Sequence, residues 1–183
     1  MLSVEKKRLC VFCGAKDGRG IFYKNLANEV GKNIVTSGMD LVYGGAKVGI
    51  MGALADAVLE NGGQVIGVIP KSILELEISH SGLSQLEKVE DMHSRKKRMY
   101  ELSQGFLAIP GGFGTLDELF EVLTWNQLNI HIKPVYLLNM NGFFENLLKH
   151  LDFLVAEGIL AEDHRNLIKE LDGPDQIRKR INF

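Results

Sequence analysis

The sequence is short of the residues that mark several protein classes. It has only two cysteines, Cys10 and Cys13. They form one C-x-x-C pair that suggests redox chemistry or half a zinc site, but no second C-x-x-C exists to complete a cage. Cys10 lies inside an apolar strand pattern, so the pair reads as structural. The five histidines, at positions 80, 93, 131, 150 and 164, nowhere fall at H-x-x-x-H or H-E-x-x-H spacing. No metal is expected. Neither sign of charge is in surplus: the formal net charge of −2 gives no global basic field for gripping nucleic acid or an acidic membrane. Long apolar runs are missing too, and the start, MLSVEKKRLCVF, is too short in apolar residues for a signal peptide or a membrane span. A cytoplasmic protein with no nucleic-acid or membrane partner is the expectation.

What is present is an ordinary globular composition, 45% hydrophobic and 24% charged over 183 residues. One domain spanning 1–183 is expected, large enough to bury a core without disulfides or a structural metal. Short runs rich in β-branched and aromatic residues occur at 8–12, 40–44, 64–69, 106–110 and 134–139, bounded by Gly or Pro. They read as strands buried on both faces. Helical patterns lie between them, at 22–37, 49–61, 93–104 and 115–129, with further helices predicted at 143–157 and from 163 to the end. Segment 71–90 is the least regular and is read as a loop with a short strand near LEKVE. The alternation predicts an α/β fold, a three-layer Rossmann-like architecture with a central parallel sheet flanked by helices.

Two glycine loops stand where a strand gives way to a helix. VYGGAKVGIMG (42–52) carries Gly44, Gly45 and Gly49, and IPGGFGTLDE (109–118) carries Gly111, Gly112 and Gly114. In a parallel sheet both fall at the carboxyl ends of strands, where ligands bind, and they are expected to be neighbours. Bare backbone can approach a phosphate closely, and the free N–H groups of a helix start favour an anion. Neither loop matches G-x-x-x-x-G-K-[ST] or G-x-G-x-x-G. A tight strand-to-helix turn would explain either loop alone; two at one sheet edge point to an anion site.

Before the second loop comes a basic run, Arg95, Lys96, Lys97 and Arg98, in the first turns of a predicted helix. Cations there oppose the helix dipole, by roughly 0.3–1 kcal/mol each. A solvated face accounts for Lys96 and Lys97. The helix leads directly into the strand at 106–110, so one of its residues can lean over the sheet edge toward the second loop; Arg95 and Arg98 lie three apart on one side, and an anionic ligand would explain the placement. After the loop, Thr115 and Glu118 make a T-x-x-E capping box, in which both would satisfy orphan amides at a helix start. The same spacing also fits a carboxylate facing a sugar beside a phosphate-ready loop.

SRKKRMYEL followed by PGGFGTLDE resembles the M-H-x-R-K and P-G-G-x-G-T-x-x-E signatures of the LONELY GUY (LOG) family. The likeness runs through VFCGAKDG, VYGGAKVGIMGALADA, VIGVIP and HSGLSQLEKVEDMHSRK to ELFEVLTWNQLNIHIKPVYLLN and LVAEGIL. Members are cytokinin riboside 5′-monophosphate phosphoribohydrolases, releasing free base and ribose 5-phosphate, and many also act on AMP. Relatives were long labelled "possible lysine decarboxylase", yet no lysine here sits in a recognisable pyridoxal-phosphate context. The resemblance implies that Arg95 and Glu118 are the catalytic pair, and that Gly111, Gly112, Gly114 and Thr115 bind the phosphate. It also implies that Met92 and Lys96 lie near the nucleotide, with Gly44, Gly45 and Gly49 shaping the other wall, and that no cofactor is used. The chain departs from the family pattern in three places: Ala15-Lys16 in place of Ser-Ser, Ala46 in place of Gly, and Asp117 in place of Glu.

The helix predicted at 115–129 has Leu116, Leu119, Phe120 and Leu123 on one stripe and Val122 and Trp125 on another, so burial on two sides is expected. Because family members are dimers, the resemblance makes a helix-mediated homodimer the expected assembly, with a nucleoside 5′-monophosphate as substrate. The alternative function is a non-catalytic nucleotide-binding carrier or sensor, since the same fold and loops serve both.

Overall fold

The structure, a computed structural model, describes residues 7–73 and 79–183. Residues 74–78, within the irregular segment 71–90, and the first six residues lie outside the described part. In chain order the elements are β1 (Arg8–Phe12), α1 (Phe22–Thr36), β2 (Asp40–Tyr43), α2 (Gly49–Glu60), β3 (Val65–Pro70), β4 (Gln85–Val89) and α3 (Met92–Leu102). There follow β5 (Gly105–Ala108), α4 (Phe113–Gln127), β6 (Val135–Leu138), α5 (Glu145–Ala156), α6 (Glu162–Arg165), β7 (Ile168–Leu171) and α7 (Asp175–Arg180). The described strands form one wholly parallel sheet in the order β4-β3-β2-β1-β5-β6-β7.

Apart from Arg8 and Asp40 at the first positions of β1 and β2, the inner strands carry apolar and aromatic side chains, because helices cover both faces of the sheet. On β1 the period of two is plain. Leu9 and Val11 pack with α1, α2 and α7, whereas Cys10 and Phe12 pack with α3, α4 and α5. Cys13 joins the first of these cores, so the two thiols belong to opposite sides of the sheet and both are free. The sheet ends in strands with exposed positions, QLEKV in β4 and IKEL in β7.

The C-terminal part departs from the sequence reading. A helix was expected from 163 to the end. Instead Ile168–Leu171 pairs in parallel with Val135–Leu138, and only the short α6 and α7 flank it. The open edge of β6 supplies ladder hydrogen bonds that a local periodicity does not reveal, and Gly173-Pro174 breaks the run before α7.

The topology places the site. Strand order reverses between β1 and β5, and in open α/β sheets that reversal leaves a crevice at the carboxyl ends. The connection from β4 to β5 carries α3 across the sheet from its edge to its centre. The amino-terminal turn of α3 therefore begins at the same carboxyl edge, which is why a basic run at a helix start ends up beside the crevice.

Candidate active site

The loops after β1 and β5 touch across this crevice. The Gly14 N–H donates to the Pro110 carbonyl at 3.2 Å, and the Gly14 carbonyl accepts from Met51 N–H at 3.1 Å. A β-carbon at Gly111 would overlap the Thr115 hydroxyl and lie 2.8 Å from the Gly14 nitrogen, so this approach needs a residue without a side chain. The partner of the 111–114 loop is thus the Cys13–Lys16 loop. The 44–49 loop, expected as the neighbour, is one strand further out, because β1 lies between β2 and β5.

Helix α4 opens with Gly112 as its N-cap and without a side-chain cap. The first amide satisfied by the helix start is that of Leu116, which donates to Gly112 O at 3.1 Å. The amides of Phe113, Gly114 and Thr115 are left to face an anion. The capping box does not form: Thr115 lies inside the first turn, its hydroxyl buried without a partner, and Glu118 sits a turn further on. Gly112 takes the cap because the chain must pass close to the β1 loop before it can coil.

A cavity of about 590 Å³ opens here, and Arg95, Glu118, Thr115, Met92, Gly111, Gly112 and Gly114 all line it. Its other wall is apolar, with Tyr23, Ile50, Ile73, Phe113 and Phe143. Phe113 is 93% exposed. The lining also includes Cys13, Gly14, Ala15 and Lys16, which the sequence reading missed. Their one signal is the glycine directly after an apolar strand in VFCGAKDG.

Two buried charges face this cavity, and neither has an ion-pair partner among the described residues. Glu118 is 9% exposed and makes no hydrogen bond there. Burial pushes its carboxyl up to about 7; Arg95 and Lys96 pull it down, while Asp117 and Glu121 push it up. Arg95, 7% exposed, is seated on backbone. Its Nε donates to the Val68 carbonyl at 3.1 Å, one terminal nitrogen to the Gly44 carbonyl at 3.2 Å, and the other approaches the Met92 sulfur at 3.7 Å. With five N–H donors, a guanidinium so held keeps some free for a ligand. Unpaired buried charges are expensive, so a cleft that holds two of opposite sign is built for a charged guest.

The rest of the basic run divides three ways. Lys96 turns from the cavity to α4, with Nζ 3.1 Å from both Asp117 and Glu121 and its side chain only 11% exposed. It is neither solvated nor part of the main cavity lining. Arg98, expected beside Arg95, instead pairs with Glu87 on β4 at 3.0 Å. Lys97 is solvated, at 73% exposure. Gly44, Gly45 and Gly49 stand behind the cavity. Gly44 gives the carbonyl that holds Arg95, and Gly49, at φ 66°, sits so close that a β-carbon would overlap the Ala15 backbone.

A family model described as "Possible lysine decarboxylase" matches residues 51–181. The cytokinin riboside 5′-monophosphate phosphoribohydrolase LOG of Oryza sativa subsp. japonica is 48% identical over 162 residues, covering 88% of this chain and 67% of that one. The chain belongs to the LONELY GUY (LOG) family. A second LOG relative, the cytokinin riboside 5′-monophosphate phosphoribohydrolase of Rhodococcoides fascians, is 47% identical over 171 residues, covering 91% of this chain and 86% of that one. Among solved structures, the molybdenum cofactor binding protein of Rippkaea orientalis superposes with a TM-score of 0.70, over 97% of this chain and 96% of that one, at 22% identity. At that identity the likeness is one of fold, and it shows the LOG chain in a Rossmann-type architecture.

Proposed function

We propose that this chain hydrolyses the N-glycosidic bond of nucleoside 5′-monophosphates, cytokinin riboside 5′-monophosphates and AMP among them, giving free base and ribose 5-phosphate. The observation that carries this reading is the pair of unpartnered buried charges, Glu118 and Arg95, in one cavity beside the open start of α4. Its LOG relatives bear the name of that activity.

The parts divide the reaction between them. The amides of 113–115 and the Thr115 hydroxyl hold the 5′-phosphate, and this remote binding fixes the sugar. Glu118 faces C1′ and takes a proton from the attacking water as the C–O bond forms. The C1′–N9 bond breaks, its electron pair leaves with the purine, the base takes up a proton from solvent, and Glu118 releases to solvent the one it took from water. The carboxylate also stabilises the cationic character that builds on the ribose ring. A carboxyl titrating near neutrality suits a general base better than one of ordinary acidity. Arg95 offers fixed positive charge to the phosphate or the departing base.

Residues 1–183 act in this reading as one catalytic domain, cytoplasmic, and paired as a homodimer through the exposed apolar strip at the end of α4. Among the described residues no helix is long and apolar enough to cross a membrane. The deciding experiment incubates purified protein with AMP, isopentenyladenosine monophosphate and adenosine, and assays free base. Release from the monophosphates is expected, with kcat/KM for adenosine, which lacks the phosphate, at least tenfold lower. Binding without release over hours would overturn hydrolysis in favour of a carrier, and equal turnover of AMP and adenosine would reject the phosphate anchor.

A further inference from the structure

The adjacent residues Arg95 and Lys96 flank the same carboxylate from different cavities, without an ion pair to it. Glu118 lines the main cavity, where Arg95 also sits, and it lines a second, small cavity behind α4 together with Lys96, Glu121, Tyr100, Phe12, Phe106 and Val122. Lys96 lines only the rear one. Its ammonium bridges Asp117 and Glu121, the neighbour of Glu118 and the residue three further along. The Glu121 arm is shielded at both ends, at 11% and 22% exposure, whereas Asp117 is 58% exposed; it is the shielded arm between the two helices that fixes their register better than a solvated pair would.

We propose that Lys96 is a positioning residue: by clamping α3 to α4 at Asp117 and Glu121 it sets the separation of Arg95 from Glu118, and it places a cation behind the reacting carboxylate. This rests on the functional reading above and deepens it, replacing a nucleotide contact at Lys96 with a role that acts through Glu118. The clamp also explains the second cation of the run, which neither solvent nor the main cavity accounts for.

Every charge facing Glu118 enters the balance. From α3 come Arg95, Lys96 and Tyr100; from α4, Asp117 and Glu121; from β1 and its loop, Cys10, Cys13 and Lys16; and across the cavity, Tyr23. The two thiols are held protonated by burial. Lys96 and Arg95 favour the carboxylate, and Asp117 and Glu121 oppose it. Removing the Lys96 cation uncovers both opposing carboxylates at once, whereas removing Glu121 relieves one of them.

The test is the pH dependence of AMP hydrolysis by Lys96→Met, Lys96→Arg and Glu121→Gln, with AMP affinity measured separately by calorimetry. For Lys96→Met, kcat falls at least tenfold while AMP affinity stays within about threefold, and the acid limb of kcat/KM moves to higher pH by about half a unit or more. Lys96→Arg restores the limb, and Glu121→Gln moves it the other way. A limb unmoved in Lys96→Met, with AMP affinity lost instead, would return Lys96 to the nucleotide and overturn the proposal. If Lys96→Met does not fold, an unmoved limb in Glu121→Gln overturns it equally, and a limb at lower pH supports it. An inactive parent protein would be a different failure, that of the hydrolase reading itself.

Discussion

Arg95 donates to the Gly44 carbonyl, and the space a β-carbon would need at Gly44 is the space that the guanidinium fills. The glycine is there for close approach, since its backbone is outside the left-handed region. Gly44→Ala should therefore expel Arg95 from its seat without changing any group that reacts. Overpacking costs about 1–3 kcal/mol, and loss of a preorganised charge about 10²–10³ in kcat. Parent-like AMP hydrolysis by a folded Gly44→Ala would show that the seat is not needed.

Glu118 sets activity against stability. A carboxyl whose folded pKa is raised, here to about 7 from 4.5, binds its proton more tightly in the native state. The penalty for burying the charge is absent below the unfolded value and grows as pH rises toward 7, where it is complete. Glu118→Gln, which keeps the shape without the charge, should thus be more stable than the parent at pH 8, by up to about 3 kcal/mol. Near pH 4.5 the difference should vanish. Its hydrolytic rate should drop by about 10²–10⁴. A capping role predicts the reverse sign, a loss of about 0.5–2 kcal/mol at every pH, so thermal melts at the two pH values separate the readings.

The same titration should show in the parent enzyme. If the ionised carboxylate is the active form, kcat/KM for AMP rises with pH and reaches half its limiting value near 7. A profile flat from pH 5.5 to 8.5 would mean that Glu118 is not the base, whatever its position.

The sheet was legible because its inner strands are mostly apolar on both faces, as in VYLL of β6 and VIGVIP of β3. Edge β7 was not, since IKEL alternates weakly and gains its identity from β6 rather than from itself. Glu118 and Arg95 stood out through motif and resemblance, yet their surroundings did not. Nothing local in TLDE says that Gly112 will cap α4, and nothing in SRKKR tells which cation meets a carbonyl, a carboxylate or water. Those choices depend on α3 crossing the sheet, a relation between residues far apart in the chain. The mistaken pairing of the two glycine loops has the same origin: strand order, which put β1 between them, is a property of the whole sheet.

The end of α4 carries the last prediction. The sequence reading put Phe120 on a buried stripe, but it is 37% exposed; Leu119, Val122 and Leu123 are buried in the core, and Leu116 packs against it. Two turns on, Leu128 is 61% exposed, and the chain continues through Ile130 at 57% and Ile132 at 90%. Four large apolar side chains left open along one helix end and its exit form a patch of the kind that marks an interface. A self-complementary pairing across a two-fold axis would cover it twice over. Parent protein should then scatter light at twice 20.4 kDa. Leu128→Asp with Ile132→Asp should halve that mass and leave the fold intact, because both side chains are exposed in the single chain. A parent that runs as a monomer at micromolar concentration would remove the dimer, and the double variant at dimer mass would move the interface elsewhere.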